Sequence, residues 1–282
     1  MIIYFPIHFT FSRQDRRSSL RLIKKIKTMK KHIIIFAAAI TPLAFFSCTK
    51  ESVQPEQASN VVGTEQALIQ KPAPMPIVDL QKGLNGKFEF NGNLLEKNGL
   101  LKAVLFNPRY KPSYTSDRKG APNAAIHFNG AFGLVISNVP QDTSMSIAAW
   151  VKSESYPITG NVPLIEGSGS LSFSQLENTY QAGSWNGING INGQYVISGP
   201  IDRDWHHLVA TRDANMLYFY IDGTLVGTSP TPAGGGPADV FSQFVIGFGW
   251  NAGYQYWKGA MDDLCFYGRT LTNADVQALY KL

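Results

Sequence analysis

Between Gly83 and Leu282 the apolar positions recur at every second residue. The runs KFEFNGN, AAIHFNG, FGLVIS, MSIAAWVKS, LSFSQ, WHHLVATRD, MLYFYIDG and FSQFVIGF are short, alternating or continuously apolar, and separated by Gly, Asn, Asp and Pro. That spacing predicts short strands of an antiparallel β-sandwich. In WHHLVATRD it sets Trp205, His207 and Val209 on one face and His206, Leu208 and Ala210 on the other. In MLYFYIDG, Leu217, Phe219 and Ile221 share a face, Tyr218, Tyr220 and Asp222 share its opposite, and Asp222-Gly223 is a hairpin turn signal. The period changes only at the end. Thr272 with Asp275 three residues on forms a capping box, and Val276, Leu279 and Tyr280 line one face of a two-turn helix.

The N-terminal third follows another pattern. MKKHIIIFAAAITPLAFFSC, starting at Met29, is a basic stretch followed by an apolar run from Ile33 to Phe46. At roughly 14 residues the run is too short to span a bilayer and reads as a signal peptide over 29–47. Its end, Phe45-Phe46-Ser47-Cys48, resembles a bacterial lipobox, in which Cys48 is the residue acylated. A plain cleavable signal is the alternative. Residues 1–28 then stand as an upstream extension. Residues 48–82, rich in Gln, Ser and Pro without a sustained period, read as a flexible tether. Lys50 and Glu51 faintly resemble the charged signals of some surface-exported Bacteroidetes lipoproteins. The expected location is the outer membrane, facing either the surface or the periplasm.

Composition narrows the function classes. The 282 residues are 44% hydrophobic, 12% aromatic and 16% charged, which implies a packed core. The net charge of +5 is misleading: residues 1–47 hold nine Lys or Arg against Asp15 alone. The remaining 16 basic and 19 acidic residues leave the rest of the chain near −3, with no basic patch for nucleic acid. Of the two cysteines, Cys265 lacks a partner once Cys48 carries lipid, and in MDDLCFY it reads as a small buried hydrophobe.

Five stretches together resemble a known family: GKFEFNGNLLEKNGL, AAIHFNGAFGLVIS, SIAAWVKS, DWHHLVATRDANMLYFYIDGTLVG and WKGAMDDLCFYGRTLTNADVQALY. In order and spacing they are similar to the laminin G-like or pentraxin-like domains of the concanavalin A-like jelly-roll class. The resemblance covers nearly all of 83–282. It implies an all-β, two-sheet antiparallel jelly-roll sandwich with a short C-terminal helix, which usually binds glycans or proteins and often holds calcium. It also matches Trp205 and His207 to framework positions, and Trp257 to the aromatic entry of the last long strand.

Candidate sites fall into three groups. Two loops carry rings and amides. GWNAGY holds Trp250 and Tyr254; WNGINGINGQY runs from Trp185 to Tyr195 and offers Asn186, Asn189 and Asn192. Aromatic faces beside side-chain amides suit sugar rings, whereas Asn-Gly is equally turn chemistry. Tyr218 and Tyr220 either meet a ligand on the outer sheet face or simply cover it. The third group is the metal set: Asp262, by resemblance, with Asn91 and Glu96, could ligate a structural Ca2+ through hard oxygen donors. Adjacent strand residues point to opposite faces, so Asp262 and Asp263 can serve one site only across a bend.

The Glu-x-Asp-x-x-Glu arrangement of jelly-roll glycosidases does not occur, and Glu166 stands alone in PLIEGSGS. The sequence therefore reads as a lipid-anchored, non-catalytic cell-envelope binding module for carbohydrate. The competing readings are a protein-binding adhesin or envelope assembly component and, third, a polysaccharide-active enzyme.

Overall fold

The computed structural model describes residues 78–154, 160–167, 170–184, 194–231, 242–249 and 255–282. The signal peptide, Cys48 and most of the tether therefore lie outside the described residues. No helix among the described residues is long and apolar enough to cross a membrane.

The strands run, in chain order, β1 (Leu84–Phe88), β2 (Lys102–Leu105), β3 (Ser113–Thr115), β4 (Ala125–Asn129), β5 (Leu134–Ser137), β6 (Met145–Ser153), β7 (Asn161–Gly167) and β8 (Leu171–Leu176). They continue with β9 (Thr179–Ser184), β10 (Gln194–Pro200), β11 (His206–Arg212), β12 (Met216–Ile221), β13 (Thr224–Pro230), β14 (Gln243–Ile246) and β15 (Lys258–Tyr267), and a helix, α1 (Asn273–Tyr280), follows. Two antiparallel sheets result. The first has the order β13-β12-β11-β6-β15-β4-β3, with β1 also paired to β15; the second has the order β10-β9-β8-β7-β14-β5-β2. The all-β sandwich with one short C-terminal helix is the expected fold.

Alternation explains which residues meet between the sheets. Ile147, Ala149, Val151, Leu208, Ala210, Phe219, Leu264 and Phe266 from one sheet face Leu134, Ile136, Leu164, Phe173, Ala182, Phe244 and Ile246 from the other. Ring pairs tie the layers together, Phe244 to Phe266 at 5.0 Å and Phe173 to Phe219 at 5.9 Å. Trp257 is 1% exposed, rests on Phe128 at 5.6 Å, and its indole N–H donates to Ser153 Oγ at 3.3 Å. Each such large side chain contributes about 1.5–3 kcal/mol through burial.

A second apolar layer lies on the outside of the first sheet. Ala148, Val209, Tyr220, Cys265 and Tyr267 point away from the main core and are covered by Leu271, Val276 and Leu279. Helix α1 starts as the sequence indicates: Thr272 accepts from the Asp275 N–H and the Asp275 carboxylate accepts from the Thr272 N–H. Arg269 grips the same carboxylate at 2.7 and 3.1 Å, which holds Asp275 down to about 2. The Asp222-Gly223 turn has positive φ at both residues, 51° and 76°, the geometry that matches the twist of a tight hairpin.

Candidate functional site

The outer face of the second sheet is polar where that of the first is apolar. On β8, Leu171 and Phe173 enter the core, so Ser172 and Ser174 face outward. On β9, Tyr180 and Ala182 enter it and Gln181 and Gly183 face outward. Strand β7 departs from simple alternation. A register shift between Pro163 and Ile165 puts both Leu164 and Ile165 into the core and returns Glu166 to the outer face.

The register then aligns Val245, Glu166, Ser172, Gly183 and Tyr195 as one row across β14, β7, β8, β9 and β10. The neighbouring row is Pro163, Ser174, Gln181 and Ile197, in which Ser174 Oγ donates to Gln181 Oε1 at 3.3 Å. Gly183 matters because it has no side chain. A Cβ there would lie 2.6 Å from Ser172 Oγ and 2.9 Å from Tyr195 Cε1, so the Tyr195 ring lies across the space that the glycine leaves. Tyr195 remains 36% exposed, while Ser172, Ser174 and Gln181 are sheltered at 5–6%. A shallow depression of about 40 Å³ between them is lined by Glu166, Ser172, Ser174 and Tyr195 together with Asn161 and Pro163. Burial, reinforced by the Glu166 charge, pushes the Tyr195 phenol up to about 12, so it stays protonated and able to donate.

A family model described as the concanavalin A-like lectin/glucanases superfamily matches residues 129–277, more than half of the chain. The chain belongs to this superfamily.

Solved structures agree on the fold. Domain 4 of AbnA, an extracellular arabinanase from Geobacillus stearothermophilus solved with arabinotriose, superposes with a TM-score of 0.57 at 19% identity, over 70% of this chain and 98% of that one. The binding domain of botulinum neurotoxin DC, solved with rat synaptotagmin II, gives 0.55 at 12% identity, over 71% and 51%. A botulinum neurotoxin type C structure, whose cell entry depends on two ganglioside molecules, gives 0.56 at 11% identity over 71% and 51%. This chain thus spans about half the length of the neurotoxin chains. No curated protein matches it by sequence.

For this concanavalin A-like domain, the sequence-derived candidates separate. Trp185, Asn186, Asn189, Asn192, Trp250 and Tyr254 lie outside the described residues. Their described flanks do border the polar row. Ser184 and Gln194 are the pair next to Gly183 and Tyr195, and a Cβ on Gly249 would lie 3.2 Å from Glu166 Oε2. Of the two sheet-face tyrosines, Tyr220 is 6% exposed in the layer beneath α1, and Tyr218 packs partly buried against it. Both cover the first sheet, away from the polar row. His207 is buried at 3% exposure, in keeping with a framework position.

The metal set does not come together as a common oxygen shell. Asp262 Oδ2 is held by Arg118 at 2.7 Å and its Oδ1 accepts the Asp263 N–H. Glu96 spends both oxygens on backbone N–H groups, of Lys87 at 3.0 Å and Leu100 at 2.8 Å. Asn91 and Glu96 do share a surface hollow, but Lys87 and Lys97 line it and Asp262 does not. Ammonium groups at the rim and a guanidinium on the carboxylate oppose a divalent cation. Among the described residues, no group of three or more His, Cys, Asp or Glu is placed to hold a metal.

The bend required for Asp262 and Asp263 to act together is present, but it serves Arg118. Asp263 has φ 47°, and the pairing of β15 with β6 shifts register between Asp262 and Cys265. Both carboxylates therefore face the same guanidinium, Asp263 at 2.9 Å, and Lys87 closes on Asp263 at 2.8 Å. Arg118 also lies 4.6 Å from the Trp150 ring centroid. Burial and the adjacent carboxylate push Asp262 up to about 7, while Lys87 and Arg118 hold Asp263 down despite its burial.

Proposed function

We propose that the domain is a non-catalytic carbohydrate-binding module, carried on a lipid-anchored chain, and that it takes its ligand at the Glu166–Tyr195 row. The supporting observation is a set of polar side chains aligned on the outer face of the second sheet beside an exposed ring seated over a glycine. Such a row offers hydroxyl, amide and carboxylate partners to sugar hydroxyls, and the ring offers a flat apolar surface to sugar C–H groups. The arabinotriose in the arabinanase domain and the gangliosides of the neurotoxin are consistent with this class of ligand on this fold. Trp185, Asn186 and Asn189, and Trp250 with Tyr254, lie outside the described residues and stay candidates from the sequence for further ligand contacts.

The reading is tested by a glycan array followed by calorimetry on wild type and Tyr195→Ala. A glycan ligand weakened roughly tenfold by Tyr195→Ala is expected, by analogy with interface aromatic truncations. Capture of a protein with no glycan bound would favour the adhesin reading, and turnover of a polysaccharide would favour an enzyme. Anchoring is tested separately: Cys48→Ala should move the protein from the membrane fraction to the soluble one, and a wild-type protein already soluble would refute it.

A further inference from the structure

Beneath α1, on the far side of the sandwich from the polar row, the outer layer is incompletely filled. Ala148 and Cys265 are cross-strand partners on β6 and β15, and both are small where the adjoining positions Trp150 and Tyr267 are large. A cavity of about 180 Å³ remains above them, walled by Trp150, His207, Leu84 and Leu279. It opens where the exposed residues Gln81, Lys97 and Leu282 line it.

His207 is the anomaly in that wall. Its ring lies 5.2 Å from Trp150 and 6.2 Å from Tyr280, and its Nδ1 is buried without a hydrogen-bond partner. A buried polar atom left without a partner is destabilising, and its presence calls for an explanation. Burial holds the imidazole down to about 4, so it is neutral at ordinary pH and carries one N–H and one lone pair. The charged side chains that line the cavity are already paired: Lys87 with Asp263, Asp263 also with Arg118, and Lys97 with Glu89. An ionic ligand would have to displace one of these partners. A neutral one would not.

We propose that this cavity is a second binding site, separate from the carbohydrate face, for a small neutral molecule with an apolar body of single-ring size and one hydroxyl group. The volume fits, since roughly 150 Å³ accommodates a benzene ring in an apolar cavity. The apolar body would lie over Ala148 and Cys265 against Leu84 and Leu279, and the hydroxyl would pair with His207.

The test is calorimetry on the full chain with phenol and with toluene, which share a ring and differ in the hydroxyl. Phenol should bind with a Kd on the order of 1 mM or tighter and toluene at least about fivefold more weakly, as expected for one hydrogen bond. His207→Phe keeps a ring of similar shape and should bring phenol down to the level of toluene. Ala148→Leu should abolish binding of both by filling the floor. Should Ala148→Leu not fold, the His207→Phe comparison decides alone. The proposal is overturned if wild type binds no phenol, which would leave at most a water on Nδ1. It is equally overturned if phenol and toluene bind alike with no response to His207→Phe, or if a folded Ala148→Leu still binds phenol normally.

Discussion

On the outside of the first sheet, Val209, Tyr220, Cys265 and Tyr267 are covered by α1; on the outside of the second, Ser172, Ser174 and Gln181 stand in their places beside an exposed Tyr195. Both faces arise from the same rule of alternation, with the inner positions of each strand given to one core. What differs is the residue type at outward positions. Apolar outward residues demand a cover, and the chain supplies one by adding a capped helix after its last strand. Sheltered polar outward residues can satisfy one another, as Ser174 and Gln181 do, and so need no apolar cover. On the proposed reading the helix-covered face chiefly stabilises the fold and the polar face takes the carbohydrate, and that contrast can be broken by experiment.

The largest effect is expected in the core that both faces share. Trp257→Ala removes a 1%-exposed indole packed on Phe128 and bonded to Ser153, and should cost about 3–5 kcal/mol. Denaturant melts give the value. Tyr195→Ala serves as the control, since truncating a 36%-exposed ring on an edge strand should cost about 1 kcal/mol or less. Comparable losses from the two would mean that Tyr195 supports the sheet and does not present a surface.

Arg118 comes next, because the covered face depends on it. Arg118→Met keeps much of the stem but leaves Asp262, 5% exposed, without its guanidinium beside Asp263, which keeps Lys87; the net loss should be about 3 kcal/mol. Adding Asp262→Asn should recover part of that loss, since one of the two buried charges is then gone. Failure of the second substitution to recover stability would show that Arg118 acts through its contact with Trp150 and not through the carboxylates.

How much of this was legible in the chain follows from the range of each interaction. Alternation, the Asp222-Gly223 turn and the Thr272–Asp275 box are decided within a few residues, and the sequence reading placed all three. Arg118 was missed because it is 144 residues from Asp262 and no local pattern joins them. Glu166 stands alone as a carboxylate in the sequence, and its place on the outer face is not legible there, because strict alternation from Pro163 would turn it inward and the register shift in β7 brings it out. The Ser-x-Ser spacing of LSFSQ was available as a signal for the polar face, but its partners Gln181 and Tyr195 are set by strand pairing. Asp262, Asn91 and Glu96 read as oxygen donors in the sequence, but the Glu96 carboxylate is engaged by the nearby Lys87 and Leu100 N–H groups and that of Asp262 by the distant Arg118 guanidinium.

The smallest and most discriminating effects concern His206 and His207, neighbours that β11 sends to opposite sides. His206 lies between Asp222 at 2.7 Å and Asp202 at 2.9 Å, and these carboxylates raise it to about 9. His207 is buried against Trp150, with Arg118 nearby, and is lowered to about 4. The signs are opposite. Between about pH 6.5 and 9 the folded state holds a proton on His206 that the unfolded state has released, so this contribution to stability is present below 6.5 and lost as pH rises through 9. Between about pH 6.5 and 4 the unfolded state protonates its histidine while folded His207 stays neutral, so stability is lost as pH falls through that window. Each limb should amount to about 1–3 kcal/mol. Subtracting the pH profile of His206→Gln from that of wild type should isolate the alkaline limb, and subtracting that of His207→Phe the acid one. The subtraction also removes carboxylates that titrate in the same range, Asp262 among them. A His207 difference curve that is flat below pH 6.5 would mean that the ring reaches water, and the covered face would then be as open as the face proposed to bind sugar.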